Sequence, residues 1–157
     1  MKVLSFLGIT KYKVTTYVWQ EGDEERSYET RLFPEALVHI FRPECLVVFV
    51  TSAVKNGENF STLHERLNTM LKPVDIPEGK TKEELWEIFD RCVEAVQEGD
   101  EILLDVTHAF RSLPLLVFAV AAYLRRTKKV TIRHIVYGAY EARDDQGRSP
   151  IFDLTPL

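Results

Sequence analysis

The chain has 157 residues, which is enough for one domain with a sizeable core and too few for two comfortable ones. Its 45% apolar and 28% charged residues are ordinary for a globular protein. A formal net charge of −4 argues against a general DNA-coating or membrane-surface role, which requires a basic face, but leaves room for a small anionic ligand.

Neither targeting nor redox features stand out. The first residues lack the shape of a signal peptide, and the apolar segment from Leu113 to Leu124 is far shorter than the ~20 residues that a membrane helix needs. Cys45 and Cys92 both fall on apolar faces, which favours buried free thiols over a disulfide or metal framework. We therefore predict a cytoplasmic protein that binds neither membrane nor DNA.

In the first half of the chain, short apolar runs alternate with helical patterns. The sequence predicts strands at 2–8, 14–19 (hairpin-like) and 45–52, the last one apolar enough to be buried on both faces of a parallel sheet. Helices are expected at 34–41, with proline in the first turn, and at about 61–71, after a polar loop at 53–60. The acidic run at 21–26 is interpreted as a solvated turn.

The second half contains the clearest helix, which begins near residue 81. Thr81 and Glu84 have capping-box spacing, an apolar stripe follows, and Gly99 supplies the expected stop. A strand at 101–107, a helix at 112–126 and a strand at 130–138 come next. This alternation predicts an α/β fold: a single Rossmann-like domain over residues 1–157, with a mostly parallel central sheet flanked by helices on both faces.

Polar side chains cluster where the predicted strands end. The segments 8–12, 51–56 and 107–112 each contain hydroxyls and carry or adjoin a cation, namely Lys11, Lys55 or Arg111. Because ligands bind outside the carboxyl ends of parallel strands, these segments predict a phosphate-binding site. The glycine fingerprints of dinucleotide and ATP sites are absent, so we expect no such cofactor. We also expect no metal, because neither the two cysteines nor the acidic run at 21–26 has a ligand pattern.

A purely structural interpretation stays open for three of these residues. Ser112 could be a helix cap, Thr107 a strand-end hydroxyl and His108 a satisfied loop histidine. Arg111 is harder to explain in that way, because its charge opposes the dipole at a helix start unless an anion lies beside it.

The segment "DVTHAFRSLP" (105–114) resembles the Asp-x-Thr-His-Gly-x-Arg-Ser signature of the CRISPR-associated Rossmann-fold family, called CARF. The stretches "LGITKY" (7–12), "IPEGKTKEELWEIFD" (76–90) and the closing segment are also similar, so the resemblance covers essentially the whole chain. It implies a homodimer that senses a cyclic oligoadenylate of type III CRISPR signalling in a cleft across its two-fold axis. Tetra-adenylate is the default ring and hexa-adenylate the alternative.

Carried over by motif, the resemblance implies a ligand-binding set composed of Ile9, Thr10, Ser52, Lys55, Thr107, His108, Arg111 and Ser112. Ala109 departs from the family pattern, which has glycine there. If that backbone needs a positive φ, alanine costs roughly 1 kcal/mol. If glycine instead lets a phosphate approach, the methyl group weakens or moves the ligand.

Two functions from different classes remain. The first is a sensor domain, either alone or with a C-terminal effector domain missing; the second is a metal-independent ring nuclease. In the latter, Thr10 or Lys11 would orient an attacking 2′-OH, Arg111 would stabilise the phosphate and His108 could transfer a proton. The chain lacks the Arg and His pair of the HEPN ribonucleases that follow many relatives, so we expect no effector domain in 1–157. A stand-alone chain without an effector favours the nuclease, whereas a chain trimmed from a longer protein favours the sensor, and the sensor is the interpretation that we adopt.

The remaining polar candidates receive simpler interpretations. His39, His64 and His134 are expected to serve packing or the surface rather than a ligand. Tyr137, Tyr140 and Glu141 follow a strand end, where they would either stack on adenine or contact a second subunit.

Overall fold

The computed structural model describes residues 1–109 and 113–155. Its strands are β1 (Lys2–Phe6), β2 (Thr15–Glu21), β3 (Glu24–Thr30), β4 (Cys45–Val50), β5 (Leu71–Asp75), β6 (Glu101–Asp105), β7 (Thr131–Gly138) and β8 (Arg148–Asp153). Its helices are α1 (Phe33–Phe41), α2 (Ser52–Lys55), α3 (Glu58–Leu67), α4 (Lys82–Glu94) and α5 (Leu113–Thr127), with short 3-10 turns at Asn68–Met70 and Tyr140–Ala142.

The strands form one eight-stranded sheet in the order β3-β2-β8-β7-β6-β1-β4-β5. The five strands from β7 to β5 in this order pair in parallel, as does β2 with β8. Only the hairpin β2–β3 and the pair β7–β8 are antiparallel among the described strands. The predicted α/β Rossmann-like architecture with a mostly parallel sheet is confirmed.

Helices cover both faces of the sheet and bury two apolar layers. On one face, residues of α4 and α5 such as Ile88 and Leu124 pack on alternate residues of the central strands, including Phe49. On the other face, α1 and α3 contribute Leu37 and Leu63. Every residue of β4 except the half-buried Cys45 is buried, as predicted for a strand covered on both faces. Each fully buried large side chain stabilises the fold by about 1.5–3 kcal/mol.

Several local predictions were wrong. The stretch 53–60 is not a loop, because α2 extends into it as far as Lys55 and α3 begins at Glu58. Strand β5 was missed; it is an edge strand that contains Pro73, which an edge position tolerates. The turn in the acidic run 21–26 is confined to Gly22 and Asp23, and the residues after it belong to β3.

The predicted start of α4 is confirmed, whereas its predicted stop is not. Thr81 is the N-cap, and its hydroxyl accepts a hydrogen bond from the Glu84 N–H at 3.1 Å. Glu84 in turn accepts from the Lys80 N–H at 2.9 Å rather than from the N–H of the cap. The helix ends at Glu94, and Gly99 instead forms a turn with φ of 79° whose N–H donates to the Lys128 carbonyl.

The topology determines where a ligand site can form. Strands β1, β4, β6 and β7 are parallel neighbours, so the loops that follow them meet at one edge of the sheet. Within the described residues, no helix has the length and apolarity to cross a membrane.

Candidate functional site

A cleft of about 580 Å³ opens at the carboxyl edge of the sheet. The loop after β1 lines the cleft through residues 7–10 and 12, and the segment after β6 lines it through residues 107–109. Thr51, Ala53 and Val54 follow β4, and Glu78 and Lys80 precede α4. The three segments expected to carry the ligand site therefore reach the same edge.

A second pocket of about 300 Å³ adjoins the cleft. The two cavities share Thr10, Tyr12, Thr107 and His108 as lining residues. The pocket adds two lysines, Lys11 and Lys13, and the aromatic and acidic group that follows β7: Tyr137, Tyr140 and Glu141. The Tyr137 hydroxyl donates a hydrogen bond to Glu141, which helps to raise the pKa of Tyr137 to about 12.

Thr107 is fixed in place by the strands on either side of it. Asp105 is completely buried; one carboxylate oxygen accepts from the Ser5 hydroxyl at 2.6 Å and the other from the Thr107 N–H at 2.9 Å. The Thr107 hydroxyl oxygen accepts from the Gly138 N–H at 2.9 Å. Burial raises the pKa of Asp105 to about 6. These bonds connect β1, β6 and β7 beneath the cleft and orient the Thr107 side chain.

His108 and Tyr12 form the wall between the two cavities. Their rings stack with centroids 4.0 Å apart and an interplanar angle of 19°. Burial lowers the pKa of His108 to about 4, so the imidazole is neutral at pH 7. Its Nε2 atom is buried and has no hydrogen-bond partner among the described residues. His108 therefore has one buried, unused hydrogen-bonding position and no positive charge at neutral pH.

Asn59 of α3 holds the first loop and was not predicted. Its side-chain amide donates to the carbonyls of Gly8 at 2.9 Å and Thr10 at 2.8 Å. Arg31 donates to the Asn59 Oδ1 at 2.7 Å, which satisfies the buried amide. A single asparagine inside a predicted polar loop gives no sequence signal for this contact.

The predicted ligand residues are distributed as follows. Ile9, Thr10, Thr107 and His108 line the cleft, and Lys11 lines the adjoining pocket.

Ser52 and Lys55 line a separate depression of about 290 Å³ at the end of β5. There, the Lys55 Nζ lies 3.0 Å from a carboxylate oxygen of Asp75. Their neighbour Thr51 lines the cleft instead, and its hydroxyl caps α2. Arg111 and Ser112 lie outside the described residues.

Ala109 carries no left-handed strain. Positive φ angles at non-glycine residues occur at Arg42, Asn68 and Lys129 in the described part of the chain, and Ala109 is not among them. Ala109 lines the cleft and also packs against the apolar layer that contains Phe49 and Ile88. The conformational cost considered for the replaced glycine therefore does not arise at this backbone, and an effect of the methyl group on a ligand stays a prediction.

A Rossmann-like sheet with polar loops converging at one edge defines a ligand-binding α/β domain. Residues 2–141 match the family described as "CRISPR system endoribonuclease Csx1, CARF domain". Because this match covers most of the chain, the protein belongs to that CARF family, as the resemblance of residues 105–114 predicted. Its role is that of a ligand-binding domain in CRISPR-associated signalling.

One curated relative extends the comparison. CRISPR-associated protein MJ1674 of Methanocaldococcus jannaschii is 39% identical over 82 residues, which cover 50% of this chain. The same residues cover 13% of the relative, so the chain spans only a small part of that protein's length.

Proposed function

We propose that this domain binds a cyclic oligoadenylate, with tetra-adenylate as the default ring, and acts as a sensor in type III CRISPR signalling. The observation that carries the proposal is the cleft, in which Thr107 and His108 of the family signature face the loop that contains Thr10. Its volume of about 580 Å³ lies within the range of ~300–1,000 Å³ typical of small-ligand sites.

The chemistry of the lining suits a ribonucleotide. Hydroxyls of Thr10 and Thr107 and the amine of Lys11 are donors for phosphate and ribose oxygens. The rings of Tyr12, His108 and Tyr140, which line the adjoining pocket, provide aromatic surface for a base. Arg111 and Ser112, proposed from the signature alone, would add a guanidinium and a further hydroxyl.

A homodimer follows from the symmetry of such a ligand. A ring of four or six identical nucleotides presents equal halves, and a two-fold dimer presents the same residues twice. Each chain would then bind half of the ring. An effector domain, if one follows in the natural protein, would respond to this binding.

A ring nuclease is the second candidate, and the position of Thr10 and Lys11 beside His108 favours it. The ribose 2′-oxygen would attack the adjacent phosphorus, the bond from phosphorus to the 5′-oxygen would break, and a 2′,3′-cyclic phosphate and a 5′-hydroxyl would form. The 2′-OH proton would go to a base and the leaving oxygen would take up a proton. With a pKa of about 4, His108 is a weak base, so we expect slow cleavage.

The test combines affinity and product analysis. Purified protein is titrated with cyclic tetra-adenylate and hexa-adenylate without metal, and the nucleotide is then analysed by mass spectrometry. We expect Arg111→Ala to weaken binding at least about tenfold, because a charge-assisted bond is lost. Arg125→Ala, at the far end of α5, is the matched control and should bind normally.

The products separate the two candidates. An intact bound ring supports the sensor alone. Linear products that end in 2′,3′-cyclic phosphate, lost in Thr10→Ala but kept in the exposed-strand control Thr131→Ala, support the nuclease. Absence of both binding and cleavage with either ring would contradict the proposed function.

A further inference from the structure

The Tyr12 hydroxyl covers a backbone donor at the end of β1. The Gly8 N–H donates a hydrogen bond to the Tyr12 hydroxyl oxygen at 3.0 Å. A Cβ atom at position 8 would lie 2.5 Å from that oxygen, so the phenol occupies the space that a side chain there would fill. Gly8 and Tyr12 both line the cleft, so this hydrogen bond lies at the lining of the candidate ligand site.

Besides this hydrogen bond, the Tyr12 side chain packs against the edge of the apolar layer that contains Leu37 and Leu63. Within residues 1–109 and 113–155, its hydroxyl has no hydrogen-bond partner besides the Gly8 N–H. The ring stacks on His108, whose buried Nε2 also lacks a partner in that part of the chain. Both rings line the cleft and the pocket, so the pair separates two cavities and leaves one polar atom unsatisfied at the boundary.

We propose that the Gly8 N–H is a phosphate-binding position, which the Tyr12 hydroxyl covers in the unliganded domain and which a phosphodiester oxygen of the ligand takes over. This inference rests on the proposed function and adds one contact and one movement to it. The N–H would bind the charged oxygen more strongly than the phenol, because charge-assisted hydrogen bonds are about twice as strong as neutral ones. Burial raises the pKa of Tyr12, which keeps the phenol a neutral competitor at pH 7.

The surrounding loop is built to keep its position when Tyr12 leaves. Asn59 holds the carbonyls of Gly8 and Thr10 by bonds that do not involve Tyr12, so these two anchors of the loop would be retained. Departure of the ring would join the cleft to the pocket and expose the His108 Nε2 to the ligand. A ligand with a phosphate and an adjoining base would then reach both cavities.

Tyr12→Phe is the direct test, because it removes the competing oxygen and retains the aromatic ring. We expect Tyr12→Phe to bind cyclic tetra-adenylate about two- to tenfold more tightly than the unchanged protein, the range expected for loss of one neutral hydrogen bond. Tyr123→Phe, on α5 outside both cavities, is the control and should leave the affinity unchanged. Thermal unfolding of each variant establishes that the fold is retained.

The amide resonance of Gly8 supplies a second readout by ¹⁵N–¹H correlation spectroscopy. The Gly8 resonance of the unliganded protein should shift on Tyr12→Phe substitution. It should move downfield when cyclic tetra-adenylate is added to either protein. Equal or weaker binding by Tyr12→Phe, or an unmoved Gly8 resonance in the complex, would overturn the inference.

The same titrations separate this inference from the proposed function. If the unchanged protein binds the ring but Tyr12→Phe gains nothing, the inference fails and the function stands. Binding by Tyr12→Phe alone would support the inference, whereas failure of both proteins with the tetra- and hexa-adenylate rings would reject both proposals.

Discussion

At the level of single residues, the most consequential group beneath the cleft is the Asp105 carboxyl. It is fully buried and accepts hydrogen bonds from Ser5 and Thr107, yet no cation is among its hydrogen-bond partners in the described chain. Desolvation therefore outweighs these bonds and raises its pKa to about 6. At neutral pH the carboxylate is ionised, and burying this charge lowers the stability of the fold, while the same carboxylate orients Thr107.

This cost predicts a pH-dependent effect of Asp105→Asn. Because the folded pKa is about 6 against an ordinary 3.8, Asp105 favours folding below pH 4, and that contribution is lost as pH rises through 6. Asparagine does not titrate. Between pH 3.5 and 7 the stability of Asp105→Asn relative to the unchanged protein should therefore rise by about 3 kcal/mol, at 1.36 kcal/mol per pKa unit.

Urea unfolding of both proteins at the two pH values measures this difference. The lowered pKa values of Asp100 and Asp153 act in the opposite direction, but they are common to both proteins and cancel. Parallel stability profiles would show that Asp105 does not titrate as described.

The sequence predicted some site residues well and others not at all. Thr107 and His108 could be placed because they directly follow an apolar strand, and the carboxyl end of a parallel strand has a known position. The contacts of Tyr12 and Asn59 could not, since each depends on how a loop folds onto an element distant in sequence or in the sheet. Such contacts leave no periodicity to detect.

At the level of elements, the contact of β7 with α1 at Gly138 and Phe33 fixes the backbone that orients Thr107 in the cleft. A Cβ atom on Gly138 would lie 2.6–3.0 Å from carbons of the Phe33 ring, which is fully buried and cannot retreat. The Gly138 N–H is also the donor to the Thr107 hydroxyl. Gly138 therefore has two roles: it lets α1 pack closely on β7, and it holds the Thr107 side chain in place.

Gly138→Ala should therefore lower the free energy of unfolding by about 1–3 kcal/mol, the usual cost of overpacking. It should also weaken ligand binding through Thr107. Gly22→Asn is the control, because position 22 has a φ of 61°, which asparagine tolerates, and nothing lies within 4 Å of its Cβ position. Unchanged stability of Gly138→Ala in denaturant titration would contradict the packing described here.

The contact of α3 with the loop after β1 gives a second prediction at this level. Asn59→Ala removes the donors to the Gly8 and Thr10 carbonyls, so the loop should lose its fixed position. We expect affinity for the ring to fall about five- to fiftyfold, as measured by calorimetry. The exposed Asn56→Ala is the matched control. Equal affinities for the two variants would show that the loop does not depend on Asn59.

The elements that sequence patterns missed share a physical cause. Strand β5 has one buried residue, Leu71, and contains a proline, so its sequence shows neither alternation nor a continuous apolar run. Strand β3 is mostly polar because it lies at the opposite edge of the sheet. The sequence of a central strand such as β4 is apolar because the strand is buried, so a pattern reveals it. Whether an edge segment forms a strand depends on the neighbouring strand with which it pairs, and this leaves little trace in its own sequence.

At the level of the whole molecule, the order of the strands brings the candidate ligand residues together at the carboxyl edge of the sheet. The loops after β1 and β6 meet because these strands are neighbours, although about a hundred residues separate Ser5 from Asp105 in the chain. Basic and aromatic groups from after β1 and β7 lie beside the same cleft, so a protein with a net charge of −4 can still offer an anion local positive charge.

Native mass spectrometry of the purified protein with cyclic tetra-adenylate tests the central claim most directly, because it reports binding and stoichiometry together. Our account predicts one cyclic tetra-adenylate bound to two chains, with a smaller bound fraction for Arg111→Ala at the same concentration. One ring per single chain would contradict the shared cleft. Failure of the folded protein to bind either the tetra- or the hexa-adenylate ring would contradict the assignment as a cyclic oligoadenylate sensor.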